Sequence, residues 1–222
     1  MSAPAIRPSS TRLIIWALFV AAFVAGAYSQ RGTGGNSDAV FKYATLENGL
    51  LFYAVWMGIV LLIAIDRFDL LALRRPRSWR GAFSLAAAAA AVIVAVDILA
   101  SLLPLPQSPG REQGLAPTHW EPAHAGAFAA NLVLFAVVAP FVEEVTFRGE
   151  GQSLLRIFGR VPAMLIVGTA FGLAHGLLEG LIVLVPFGIA LAWLRDRTES
   201  VFPGMVVHGL FNGLTLTLAV LV

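Results

Sequence analysis

Long apolar runs separated by short polar ones set the pattern of this chain. Seven apolar segments can be delimited, at residues 13–28, 49–65, 82–103, 126–147, 161–178, 180–194 and 201–222. A helix needs about 20 residues to cross the hydrocarbon core, so several segments must extend past their most apolar part. The pattern predicts an all-α fold, a polytopic transmembrane helix bundle of about seven spans. It reads as one integral membrane domain over residues 1–222, with accessory spans and an outer loop in 1–124 and a core in 125–215.

Composition agrees. Of 222 residues, 58% are hydrophobic and 13% charged, against roughly 45–50% and about 25% in soluble domains. The chain contains no cysteine, which excludes disulfides, thiolate metal sites and cysteine nucleophiles. Basic groups sit beside apolar spans and not on an aromatic-studded soluble surface, so a nucleic-acid partner is not expected. The expected surroundings are a lipid bilayer.

Charge placement orients the bundle. Arg67, Arg74, Arg75, Arg77 and Arg80 crowd one loop, Arg156 and Arg160 follow the fourth span, and Arg195 and Arg197 follow the sixth. The opposite loops hold only Arg31, Lys42 and Arg111. The positive-inside rule then places the N-terminus in the cytoplasm and, after seven spans, the C-terminus outside, in a multi-pass cell (inner) membrane protein. The first segment, with Arg7 and Arg12 ahead of it and Ala25-Gly26-Ala27 near its end, resembles a signal peptide. A retained first helix is the favoured reading, because later spans already target the chain.

Smaller features receive structural readings. The alanine-rich run 86–91 predicts close helix packing and an internal third span. Asp97 within it is expected to serve a structural hydrogen bond. His119, Trp120 and His124 lack a ligand spacing and read as interfacial loop residues. Glu179 falls in a tight turn and reads as a solvated acid.

The chemistry concentrates in three short stretches. "VEEVTFRG" places Glu143, Glu144 and Arg148 in the fourth span. Each ionised group near a helix centre costs roughly 2.5–3.5 kcal/mol on insertion scales, so these side chains should point into the bundle and be paired. Glu144 and Arg148 have the i,i+4 spacing and order that favour an ion pair. Successive residues lie about 100° apart, which leaves Glu143 pointing elsewhere, where it suits a general base acting on water. "FGLAH" carries Phe171 and His175 four apart, and "HGLFN" carries His208 and Asn212 four apart. Together they offer a carboxylate base, two imidazoles and an amide donor, a set able to activate water and stabilise an oxyanion. If the fourth helix runs to about residue 157, Glu143 and His175 lie at equal depth, roughly 21 Å from the cytoplasmic end. His208, five residues after Pro203, reads as shallower unless "SVFPGM" lies inside the protein.

"EEVTFRG", "FGLAH" and "HGLFN", in this order on separate helices, resemble the three signatures of the CPBP family, also called the CAAX-protease, bacteriocin-processing or Abi family. Its pattern is Glu-Glu-x-x-x-Arg, Phe-x-x-x-His and His-x-x-x-Asn. The resemblance covers about residues 125–215, and "LALRRP" before the third span is similar to a segment upstream in the family. It implies a membrane-embedded endopeptidase of the type II CAAX kind. By that resemblance Glu143 activates water with help from His175, His208 and Asn212 stabilise the oxyanion, and Glu144, Arg148 and Phe171 support the site. It also implies a peptide or protein substrate, such as a processed or lipid-modified tail. No metal is favoured. Zinc is the alternative, with Glu143, His175 and His208 as its ligands. The competing function is a non-enzymatic bacteriocin-immunity or scaffold protein that binds a peptide or partner with the same bundle.

Overall fold

The computed structural model describes residues 10–29, 38–103, 117 and 119–221, and all of its regular structure is helical. Seven helices follow one another: α1 (Ser10–Ser29), α2 (Tyr43–Ile63), α3 (Trp79–Ser101), α4 (Pro122–Phe158), α5 (Arg160–Ala174), α6 (Leu181–Thr198) and α7 (Phe202–Ala219). They coincide with the seven apolar segments. Five of them, α1, α2, α3, α4 and α7, are long and apolar enough to cross a membrane. α5 is shorter, and α6 ends in the charged run Arg195–Arg197. The chain is a multi-pass membrane protein.

Every helix contributes to one core. Trp16, Trp56, Ile93, Phe147, Phe171, Leu191 and Val207 are among its members. α1 belongs to this core: its Trp16 Nε1 donates to the Thr146 carbonyl of α4 at 3.1 Å. A second apolar cluster closes the opposite end, where Phe41 and Phe128 meet Leu216 and Val220. There the buried Asn131 amide donates to the carbonyls of Val40, Lys42 and Ala127.

α5 and α6 pack backbone against backbone. Gly168 and Gly172 on α5 lie one turn apart, and a Cβ at Gly168 would press on the Ile189 nitrogen at 2.7 Å. A Cβ at Gly172 would meet Val185 in the same way. Lipid gives apolar helices little hydrophobic reason to associate, so the pairing depends on this backbone contact and on polar links. α4 and α6 run parallel, with a constant offset of 40 residues. Arg148 donates to the Gly188 carbonyl, Gln152 to the Ala192 carbonyl, and Arg156 to Asp196. One turn of α4 thus matches one turn of α6.

Three expectations need correction. α3 is peripheral, not internal. Its alanines do allow close packing, but only along the stripe Ala82, Ala89, Ile93 and Ala100, which faces the bundle. Phe83, Val92, Val94 and Leu99 are exposed on its other face. Asp97 is on that exposed side, one turn from the helix end, so it is not a buried structural hydrogen-bonding group. Glu179 is half-buried, and its Oε2 is shielded without a partner. In the outer loop, whose residues 104–116 and 118 lie outside the described ones, His119 and His124 both rest on Glu121, at 3.3 and 2.8 Å. Trp120 packs edge-on against Phe128.

Candidate active site

The site is built where α4 departs from regular helix. π-helical turns occupy Leu134–Val138 and Val145–Gly151 and flank the α-helical turn Ala139–Glu144. A π-turn shifts bonding from i→i+4 to i→i+5, and such turns are frequent at functional sites. The carbonyls in these turns take external donors. Asn212 Nδ2 of α7 reaches Phe135 at 3.1 Å, and Trp16 reaches Thr146. Close backbone approach completes the framework. A Cβ at Gly209 would overlap the Ala136 carbonyl, and one at Gly149 would overlap the Leu71 backbone. A Cβ at Gly204 would press on Glu144 Oε2 at 2.6 Å.

Glu144 and Arg148 form the expected pair. Nη1 to Oε1 is 2.7 Å, and neither side chain is exposed at all. The guanidinium also lies over the Phe171 ring, 4.1 Å from its centroid. The same Glu144 oxygen is 3.2 Å from His208 Nδ1. A carboxylate held by arginine accepts, so Nδ1 carries the proton and donates. The other ring nitrogen, Nε2, lies 3.8 Å from Glu143 Oε2. His208 therefore stands between the two glutamates, with one nitrogen toward each.

Glu143 is 8% exposed. Its Oε1 accepts from the Tyr53 hydroxyl of α2 at 3.2 Å. Its Oε2 has no protein partner. His175 ends α5, and its Nδ1 lies 2.8 Å from the Phe171 carbonyl. That carbonyl can only accept, so Nδ1 carries the proton and Nε2 is left as an acceptor. The Phe171 ring touches both imidazoles, with centroids 4.6 Å from His175 and 5.6 Å from His208. Glu143, His208 and Arg148 are ionisable groups near His175.

The structure thus brings Glu143, Glu144, Arg148, Phe171, His175 and His208 together. Asn212 lies one turn beyond His208, and one amide hydrogen is committed to Phe135. The depth mismatch of His208 is resolved, because Ser200 and Val201 are fully buried and Val201 N donates to the Ala72 carbonyl. The segment before α7 lies inside the protein, under the turn that contains "LALRRP". Tyr53 is the residue that sequence reasoning missed. Nothing in "LLFYAVW" separates it from an interfacial or core aromatic. Among the described residues, no group of three His, Asp or Glu side chains is spaced to hold a metal ion in this arrangement.

Comparison with known proteins turns on this same segment. No curated protein and no solved structure matches the chain. The family described as Type II CAAX prenyl endopeptidase Rce1-like matches residues 125–214, from the start of α4 into α7, which includes all three motifs. The core that carries the paired glutamates and both histidines is therefore similar to the Rce1-like type II CAAX prenyl endopeptidases.

Proposed function

We infer that the chain is an intramembrane endopeptidase that hydrolyses a peptide bond of a membrane-associated protein or peptide, with Glu143 as the base. The observation that carries this reading is the asymmetry of the Glu143 carboxylate. One oxygen is held by Tyr53, while the other has no protein partner and faces His208. A carboxylate fixed at one oxygen and free at the other is positioned to take a proton.

The steps follow from the donors and acceptors present. Water gives a proton to Glu143 Oε2 while His175 Nε2 accepts its second hydrogen, so a lone pair of the water is aimed at the scissile carbonyl. A C–O bond forms and the carbonyl becomes an oxyanion. His208 takes up a second proton from solvent before the attack, and so donates to Glu144 from Nδ1 and to the oxyanion from Nε2. The second amide hydrogen of Asn212 serves as the other donor. Glu143 then passes its proton to the departing nitrogen, and the C–N bond breaks. Glu144 and Arg148 hold His208 in place and make no contact with the substrate. No step requires a metal.

The test uses full-length protein in lipid vesicles and a peptide library ending in lipid-modified and unmodified tails. Glu143→Gln keeps the shape and removes the base, so cleavage should fall by about 10²–10⁴-fold, the usual contribution of a general base. Cleavage at the wild-type rate refutes the mechanism. A cellular phenotype that persists without cleavage favours the scaffold reading. Zinc at one per chain, removed by chelator together with activity, refutes the metal-independent route. Comparing membrane-protein termini in cells with and without Glu143→Gln identifies the substrate.

A further inference from the structure

Four guanidinium groups meet at one end of the bundle, apart from the glutamate–histidine cluster. A cleft of about 230 Å³ opens there between the 3₁₀ turn Phe68–Leu71 and the ends of α4 and α6. Arg67, Asp69, Arg74, Ser153, Arg156 and Arg195 line it. Local carboxylates neutralise these charges only in part. Arg67 pairs with Asp69 at 2.9 Å, while Arg156 shares Asp196 with Arg160. Arg74 Nε donates to the Glu199 backbone carbonyl at 2.7 Å.

Arg195 differs from these. It is 5% exposed, its Nη2 donates to Ser153 Oγ at 2.6 Å, and its Nε is shielded with no partner. Among the described residues no carboxylate is paired with it; Arg156 and Arg74 are the charges that act on it most, and Asp196 and Glu199 offset them in part. A buried cation beside like charges is costly unless an anion offsets it.

We propose that this cleft binds the phosphate of an anionic membrane lipid. Guanidinium forks match phosphate oxygens in geometry and charge. The rim supports a lipid over a free anion. Ile65, Phe68, Leu73, Ile157 and Phe158 are exposed apolar side chains within two residues of the charged lining. At headgroup depth they meet acyl chains, which a soluble ion does not offer. The arginine-rich face is also the one expected to lie in the cytoplasm, where the leaflet is anionic, and basic pockets between helices on that side suit lipid headgroups. The site shares no residue with the proposed catalytic cluster and does not depend on proteolysis.

Native mass spectrometry on the full chain in detergent measures the binding, with phosphatidylglycerol as probe and phosphatidylcholine as the zwitterionic control. Phosphatidylglycerol should bind wild type in preference. Arg74→Gln, at an exposed position, should weaken it about fivefold, and Arg74→Gln with Arg195→Gln more than about tenfold. Arg75→Gln, outside the cleft, should leave it unchanged. Unaltered phosphatidylglycerol binding in Arg74→Gln and in the double variant overturns the proposal. If the double variant does not fold, as judged by its thermal unfolding, Arg74→Gln decides alone. Inorganic phosphate that displaces the lipid and protects the protein from thermal unfolding equally well overturns the lipid assignment in favour of a free-anion site.

Discussion

Arg148 is the most demanding test of how the site is held. Arg148→Met removes a guanidinium that is fully enclosed and makes three contacts: Glu144 at 2.7 Å, the Gly188 carbonyl at 3.1 Å, and the Phe171 face at 4.1 Å. Summing these contacts overstates the effect, because forming the pair already cost the desolvation of two ions. The larger cost comes from the group left behind, a carboxylate with no exposed surface and only His208 beside it. Removing one partner of a buried pair costs about 3–5 kcal/mol. Glu144→Gln together with Arg148→Met removes both charges, and should recover at least about 2 kcal/mol of that loss. Reversible unfolding in mixed micelles reads both values. A single variant that loses less than about 1 kcal/mol, with no recovery in the double, refutes the claim that this pair fixes α4 against α6 and His208.

Three further outcomes are expected. Tyr53→Phe deletes the hydroxyl that holds Glu143 Oε1, a bond to a charged group worth about 1.5–3 kcal/mol; kcat should fall at least tenfold with KM little changed, and unchanged kinetics would remove Tyr53 from the site. Gly168→Ala inserts a methyl against the Ile189 and Gly188 backbone, which cannot yield as a flexible side chain does; a stability loss of about 1–3 kcal/mol is expected, and none measured would mean that α5 and α6 pack less closely than described. Trp16→Phe removes the bond to the Thr146 carbonyl and should cost about 0.5–1.5 kcal/mol, whereas an unaffected unfolding midpoint would detach α1 from the core.

Much of the fold was legible because lipid imposes a simple rule. Backbone groups in hydrocarbon must bond within their own helix, so each apolar run had one available structure. The same rule made the site legible. Glu143, Glu144, Arg148, His175 and His208 are too polar to face acyl chains, and on three apolar helices they had only one another to meet. The spacing rule identified the Glu144–Arg148 pair because both partners lie on one helix.

Relations between helices were decided by the tertiary structure. Composition marked α3 as a close-packing helix. Only the bundle's geometry showed that its alanines pack along one stripe and leave the other face exposed. Tyr53 became part of the site through its place opposite Glu143, 90 residues away, and no local pattern encodes that. His208 had its depth set by the buried segment before α7 and by Gly204 and Gly209, which admit it beside Glu144. Sequence by itself determined which residues had to leave the lipid, since that cost depends on the side chain alone. Tertiary structure decided which partner each one met, since that depends on the contact of two helices whose separation no single segment specifies.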